Sequence, residues 1–490
     1  YRGRGPFLRR RAGAARPCPP AHRPSAAPLP RPPLGLAVDL GTTSVAVALV
    51  DLADGRVLRL TAAANPQACR GADVISRILY ASASPAALRE LQGLAVECIN
   101  RLAREALAEA GVRPSPAGIC PVAEAVVVGN VAMLHLFLGL DPSPLGHAPY
   151  RGRLCGPVRV QARSLGLGLG PEAGVYVLPV IGGFVGADAV GVLLATGIHR
   201  RRGWHLALDL GTNGEVMLAR RGRVLACSTA AGPAFEGVGL SCGMRAAPGA
   251  INSVSLYPSV ALTTVGGLPP LGICGSGLID LAAGLLEAGL LDPGGRVLTA
   301  SEARGAGPLA ARLRRVPVPG RPGLSQSAFV VTESGCAPAG GGGAGEGCGT
   351  AILLTQADVR ALQLAKGAVA AASRFLLETA GVGPGELEGV WVAGTFGNCL
   401  SARRAAALGL LPALEPRRLR FCGNAALEGA RLALIDARAR REAERVASRA
   451  EHVALFGRPR FDELFLDSLR FAPWGWGEGA ADDRGRASPK

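Results

Sequence analysis

From residue 36 onward the chain alternates short, strongly apolar runs with turns of Gly and small hydroxyl residues. Residues 36–50 read LAVDLGTTSVAVALV: an apolar run, a D-L-G-T turn, then a β-branched run. That order predicts a β-hairpin. The pattern returns at residues 206–219, LALDLGTNGEVMLA, at an offset of 170 residues, with Ala37/Ala207, Asp39/Asp209, Leu40/Leu210, Gly41/Gly211 and Thr42/Thr212 identical. Each copy is followed by Gly-Arg-Val-Leu, at 55–58 and at 222–225, which predicts a further turn and strand. The chain therefore reads as two copies of one α/β module.

Other patterns fill in the two halves. Ala189 to Thr196 reads as a helix that Asp188 either caps or leaves as a cleft carboxylate. Thr355 and Asp358 have capping-box-like spacing ahead of apolar Val359, Leu362, Val369 and Leu376, a core helix that contains Lys366, a candidate to reach a nucleotide. The apolar strand Val390-Trp391-Val392 runs into Ala393-Gly394-Thr395-Phe396-Gly397-Asn398, a strand-to-helix turn. Apolar stretches at 122–140, 178–198 and 361–377 are interrupted by Glu124, Asn130 and His135, by Asp188, and by Lys366 and Arg374, so they predict buried core rather than membrane spans. Residues 1–34 have no apolar periodicity and are expected to be a disordered or artefactual leader. Residues 335–349 read as a Gly-rich surface insertion whose G-x-G-x-x-G follows no strand. The expected division is a first half-domain at 35–200, a second at 201–435, and a C-terminal helix and tail at 436–490.

Composition narrows the function classes. The 490 residues are 49% hydrophobic and 18% charged, enough apolar surface for two or more folded cores. The net charge of +16 is half accounted for by eight Arg in residues 1–34, and aromatics are only 4%, which argues against a nucleic-acid partner. The 12 Cys are dispersed without a C-x-x-C, which excludes zinc ribbons and the usual ferredoxin spacings and suggests a reducing, cytoplasmic setting. His135 and His147 stand alone, which favours satisfied core or surface histidines over metal ligands.

The repeated turn carries the candidate chemistry. Gly lets backbone amides approach an anion and Thr or Ser hydroxyls add donors, so Gly41, Thr42, Thr43 and Ser44, with Gly211, Thr212 and Asn213, are candidate phosphate ligands. An Asp at each strand end, Asp39 and Asp209, suits a hydrated Mg²⁺. Glu215, just past the second turn, is either a base or a solvent-facing strand residue. In the loop GVGLSCGM, Ser241 and Cys242 present a hydroxyl and a thiol among glycines.

Two D-L-G-T hairpins followed by V-A-G-T-F-G resemble the acetate and sugar kinase, Hsp70 and actin superfamily. More specifically, residues 35–473 are similar to the ATPase portion of the reductive activators of corrinoid proteins. The similarity rests on Asn65-Pro66-Gln67, Gly71 to Ile78, Gly129-Asn130, Met133-Leu134-His135, Asp141 to Gly146, Gly183 to Asp188, Gly232 to Gly237, Cys242 to Ala246 and Cys274 to Gly277. The resemblance implies an α/β fold of duplicated ribonuclease-H-like domains of actin and Hsp70 type around a nucleotide cleft. It also implies an ATPase that helps return a corrinoid from Co(II) to Co(I). By the same resemblance Asp39 and Asp209 flank Mg²⁺ and orient the attacking water, with Asp188 and Glu215 as further catalytic candidates. Gly394, Thr395, Phe396 and Gly397 line the adenosine, and Ser241 is a candidate to face the cobalt of a partner. The implied cofactors are ATP and Mg²⁺. The implied partners are a corrinoid protein or corrinoid methyltransferase and a ferredoxin-type electron donor. The chain shows no C-x₄-C-x₂-C run, so no iron–sulfur cluster is expected in it, and the family's [2Fe–2S] domain is expected upstream or on a partner. A small-molecule kinase and a nucleotide-controlled binding module without redox role are the alternatives.

Overall fold

The computed structural model describes residues 33–113, 120–333, 351–394 and 400–475. Strand β1 (Leu34–Leu40) carries one charged residue, Asp39, and leads through tight turns into β2 (Ser44–Asp51) and β3 (Val57–Ala64), an antiparallel meander. Helices α1 (Val74–Ser82) and α2 (Pro85–Glu109) form the crossover to β4 (Val122–Gly129), which pairs parallel with β1. After α3 (Val131–Leu138), strands β5 (Val158–Gln161) and β6 (Gly174–Val177) complete a six-stranded sheet of order β3-β2-β1-β4-β6-β5.

Helix α4 (Ala187–Thr196) leads into the second copy, where β7 (Trp204–Leu210), β8 (Gly214–Arg220) and β9 (Arg223–Thr229) repeat the meander. Two small sheets interrupt it. One has β10 (Ala250–Ser255) between β11 (Ala261–Thr264) and β12 (Gly272–Ile273). The other, beyond α5 (Gly275–Glu287), has β14 (Ser325–Thr332) between β13 (Leu313–Pro317) and β15 (Ile352–Thr355). Helix α6 (Gln356–Ala380) then leads to β16 (Leu387–Gly394), parallel to β7 as β4 is to β1. Next come α7 (Ala402–Ala407), β17 (Leu419–Phe421), α8 (Ala425–Ile435), α9 (Ala437–Arg449), β18 (Glu451–His452) and α10 (Pro459–Asp467). The second sheet has order β17-β16-β7-β8-β9-β18, so its first five strands match β6-β4-β1-β2-β3 of the first sheet.

Strand alternation divides the side chains of the second sheet between two cores. In β7 and β8 Leu206, Leu208, Leu210, Val216 and Leu218 enter one core with α5 and α6, while Ala207, Met217 and Ala219 face the core shared with the first sheet. Helices α4 and α8 lie between the two sheets, where α4 touches β4 and β7 and α8 touches β1 and β16. The helices cross at Gly191 and Gly429. A Cβ on Gly429 would fall 2.1 Å from the Gly191 carbonyl oxygen, and one on Gly191 would fall 2.7 Å from that of Ala426.

Several boundaries differ from the sequence expectation. Leu34, placed in the leader, is the first residue of β1 and pairs with Asp51. Helix α8, placed in the second half, packs on the first sheet. Beyond 436 there is more than a helix and tail, because β18 pairs with β9 as the sixth strand and α10 packs on α6. Residues 335–349 lie outside the described residues. Among the described residues no helix is long and apolar enough to cross a membrane, and the buried Cys98, Cys227 and Cys274 are free thiols.

Candidate functional site

Asp39 and Asp209 occupy equivalent places, the sixth residue of β1 and of β7. In both strands every other position is buried, and only the Asp keeps partial exposure, so each carboxylate opens on a cleft. The two turns that follow meet, with the Thr43 hydroxyl touching the Thr212 hydroxyl.

The first turn is braced from behind. Asn65 Nδ2 donates to the Gly41 carbonyl at 2.8 Å, and Asn130 Nδ2 donates to the Thr42 hydroxyl at 2.8 Å while its Oδ1 caps α3. Gly41 cannot be replaced without cost, since a Cβ there would sit 2.7 Å from the Ser44 carbonyl. Ser44 opens β2 and Asn213 stands at the tip of the second turn. Thr42 and Thr212 are themselves buried, at 5% and 8% exposure, which leaves Thr43, Ser44 and Asn213 the more accessible side chains.

Four acids converge around the cleft. Asp209 and Glu215 are cross-strand partners in β7 and β8. Glu215 is 4% exposed and accepts from the Ser228 hydroxyl at 3.1 Å, which excludes the solvent-facing alternative. Asp188 is the second residue of α4. The cap position belongs to Gly186, so the capping alternative fails, and the Asp188 carboxylate accepts the adjacent Ala189 N–H at 2.8 Å. Burial pushes Asp39 up to about 6, against a hydrogen bond from Asn424 Nδ2 at 2.7 Å that lowers it, with Glu236 raising it further. Burial, then Asp188, Asp39 and Glu236, push Asp209 to about 8. Burial raises Asp188, with Asp39 adding to it, and raises Glu215 well above the carboxylate range, with Asp188 and Asp209 adding to it. No Lys or Arg among the described residues figures in these shifts.

Such a cluster calls for an external cation. Among the described residues no three His, Cys, Asp or Glu side chains stand close enough to ligate a metal ion directly. The donor set therefore suits a hydrated ion held through water, which is how Mg²⁺ is usually bound.

Other candidates fall elsewhere. Gly394 ends β16 at φ +113°, and a Cβ there would lie 2.4 Å from the Leu210 carbonyl, so the strand closes tightly on the second turn. Thr395, Phe396 and Gly397 lie outside the described residues. Ser241 is exposed, its N–H donating to Asp358 Oδ1 at 2.7 Å. Lys366 does not reach the acids. It is buried, donates to the Arg470 carbonyl and lies over the Phe471 ring, anchoring the C-terminal segment, and burial lowers it to about 7. His135 is a satisfied core residue, its Nδ1 bonding the Val131 carbonyl at 2.7 Å and its Nε2 accepting from Arg153 N–H at 2.8 Å.

Sequence reasoning missed Asn424, Glu236 and Arg245. Glu236 Oε1 accepts both the Thr212 N–H, at 2.9 Å, and the Thr212 hydroxyl, at 2.8 Å, and Arg245 donates to the Thr43 carbonyl at 2.8 Å. Glu236 and Arg245 lie inside motifs that marked the family resemblance, which is the signal that could have found them; Asn424 had only its place between a short strand and a helix.

Comparison with known proteins fits this duplicated cleft. Residues 34–201 match the family described as the RACo middle region, and residues 204–308 and 343–476 match the C-terminal domain of RACo, the ASKHA domain. The chain belongs to the RACo family. It is 34% identical over 442 residues to the corrinoid activation enzyme RamQ of Eubacterium limosum, covering 90% of this chain and 71% of that protein. It is 24% identical over 471 residues to the [Co(II) methylated amine-specific corrinoid protein] reductase of Methanosarcina barkeri, covering 89% and 77%. A solved structure of a reductive activator for a corrinoid, iron–sulfur protein superposes with a TM-score of 0.80 at 34% identity, over 92% of this chain and 67% of that one. This RACo chain therefore has the duplicated α/β fold of the ASKHA domain, of actin and Hsp70 type.

Proposed function

We propose that the chain is an ATPase that drives the reductive activation of a corrinoid protein, in which one electron from a ferredoxin-type donor converts Co(II) to Co(I) while ATP is hydrolysed to ADP and phosphate. The observation that carries this reading is the meeting of two D-L-G-T turns at Thr43 and Thr212, which sets Asp39 and Asp209 on one cleft in a RACo chain. The relatives named above act on corrinoid proteins, which is why the partner is assigned to that class, a corrinoid protein or corrinoid methyltransferase.

Gly41, Thr42, Thr43 and Ser44 would hold one side of the triphosphate and Gly211, Thr212 and Asn213 the other. Gly394 with Thr395, Phe396 and Gly397 would line the adenosine. Asp39 and Asp209 would hold Mg²⁺ through water, and that ion would supply the positive charge that screens the phosphates. Phosphoryl transfer leaves the protein positioning and electrostatics to provide. Asp39 and Asp209 would also orient the attacking water, and Glu215, tied to Ser228 and set beside Asp209, would take its proton, with Asp188 close to both Glu215 and Asp209.

Calorimetry with Mg²⁺ and ATP tests the first half of the reading, and saturable heat is expected. Mixing the chain with ATP, a reduced ferredoxin and a Co(II) corrinoid protein tests the second. Appearance of the Co(I) absorbance only with ATP is expected. A phosphorylated small molecule, or partner binding without cobalt reduction, would contradict it.

A further inference from the structure

One loop stands on both hairpins. Its first foot is Glu236, which closes the short turn Pro233–Glu236 and accepts the Thr212 N–H and hydroxyl. Its second foot is Arg245, whose Nη2 donates to the Thr43 carbonyl at 2.8 Å. The loop thus joins the hairpin of β7–β8 to that of β1–β2 by a path separate from the Thr43–Thr212 hydroxyl contact.

Between the feet the loop has little slack. A Cβ on Gly237 would lie 2.1 Å from the Met244 carbonyl, and one on Gly243 would lie 2.3 Å from the Gly237 carbonyl, so the two legs run in backbone contact. Met244 N–H donates to the Ile273 carbonyl at 3.0 Å and Ile273 N–H to the Cys242 carbonyl at 2.8 Å, which ties one leg to β12. The crown reaches the surface, with Val238 37% exposed and Ser241 exposed. It is pinned to the start of α6, since Ser241 N–H bonds Asp358 at 2.7 Å and its hydroxyl lies 3.1 Å from that of Thr355.

An anion entering between Thr43 and Thr212 must part hydroxyls that now touch. Parting them moves one foot relative to the other. A closely packed loop passes such a displacement on instead of absorbing it.

We infer that residues 236–245 form a transmission loop, with Glu236 and Arg245 as positioning residues that convert the separation of the phosphate hairpins into movement of the exposed crown at 238–242. This rests on the ATPase reading above and adds the element that couples the cleft to the protein surface.

Hydrogen exchange of the full chain, with and without Mg²⁺ and a non-hydrolysable ATP analogue, tests it. In the wild type, exchange at 238–242 is expected to change about tenfold on nucleotide binding, a coupling of ordinary allosteric size. In Arg245→Ala the Ser241 amide is expected to keep its nucleotide-free protection, because Asp358 holds it, and nucleotide affinity is expected to stay within about tenfold. The nucleotide-dependent change at the crown is expected to vanish there and to return in part in Arg245→Lys. An undiminished response in Arg245→Ala overturns the inference. So does a wild-type crown that ignores bound nucleotide, and so does loss of the Ser241 protection in nucleotide-free Arg245→Ala, which would make Arg245 a simple brace. Absence of calorimetric heat from Mg²⁺ and ATP on the wild type would instead bring down the ATPase reading, and the inference with it.

Discussion

At the scale of single residues, the cleft holds acids that the fold itself does not neutralise. Burial and neighbouring carboxylates raise Asp39 from 3.8 to about 6 and Asp209 from 3.8 to about 8, and raise Asp188 and Glu215 as well. An acid raised by folding binds its proton more tightly in the native chain than in the unfolded one. Its contribution to stability is therefore intact below the unfolded value and is lost as pH climbs through the folded one. The melting temperature of the nucleotide-free chain is expected to fall from about pH 5 to about pH 8, and Mg²⁺ with ATP should remove most of that slope. A melting temperature that rises over this range in thermal melts would contradict the assignment. Asp209→Asn removes a charge strongly opposed by its surroundings. It is expected to lower steady-state phosphate release by about a hundredfold or more and to raise nucleotide-free stability by on the order of 1–3 kcal/mol, measured on the same preparation. The two Asp were legible because each repeats in a D-L-G-T turn. Glu215 was legible only as a pair of alternatives until the cross-strand register with Asp209 decided between them. Asn424 was not legible, since its bond to Asp39 joins residues 385 positions apart and nothing local announces it.

At the scale of elements, α4 and α8 carry the acid site on their first turns. Asp188 is the second residue of α4, and Asn424 caps α8 through the Leu427 N–H at 2.8 Å while donating to Asp39. Asn424→Ala should cost about 1 kcal/mol through the lost cap. It should also raise Asp39 further, because the hydrogen bond that lowers it is gone, so the acid limb of the ATPase pH profile should move to higher pH; an unmoved limb would separate Asp39 from catalysis. The crossing of the two helices depends on Gly191 and Gly429, whose backbones leave no room for a side chain. Gly429→Leu is expected to destabilise the chain by about 2–4 kcal/mol in denaturant titration, and to weaken nucleotide binding because both helix starts shift. The hairpins and the capped start of α6 could be read from the sequence, where local pattern and structure agree. Strand β18 could not, because two residues carry no period, and its place beside β9 is set by the path of α9.

At the scale of the whole molecule, two matching sheets with a shared helical layer bring one turn from each copy to the same point. The repeat made that duplication legible. The return of α8 to the first sheet was not, since the contacts that fix it, Gly429 against Gly191 and Arg431 Nη1 donating to the Gly55 carbonyl at 2.6 Å, join residues far apart in the chain. The same architecture says how ATP could help an unfavourable electron transfer. Nucleotide held between the copies favours one arrangement of the hairpins, and a partner surface that fits the Co(I) state better than the Co(II) state in that arrangement shifts the cobalt couple. The shift is about 59 mV for each tenfold preference. A preference of about 10⁴, on the order of 5.5 kcal/mol, therefore moves the couple by about 240 mV. The ratio of the corrinoid partner's affinities in its Co(I) and Co(II) states should accordingly favour Co(I) by several powers of ten with Mg²⁺ and ATP bound, and by far less without nucleotide. Spectroelectrochemical titration of the partner in the presence of this chain measures the same quantity as a potential. If the potential is unchanged by nucleotide while Co(I) still accumulates, ATP acts on the rate of electron transfer and not on its equilibrium, and the lobes of this molecule gate the donor instead of pulling on the product.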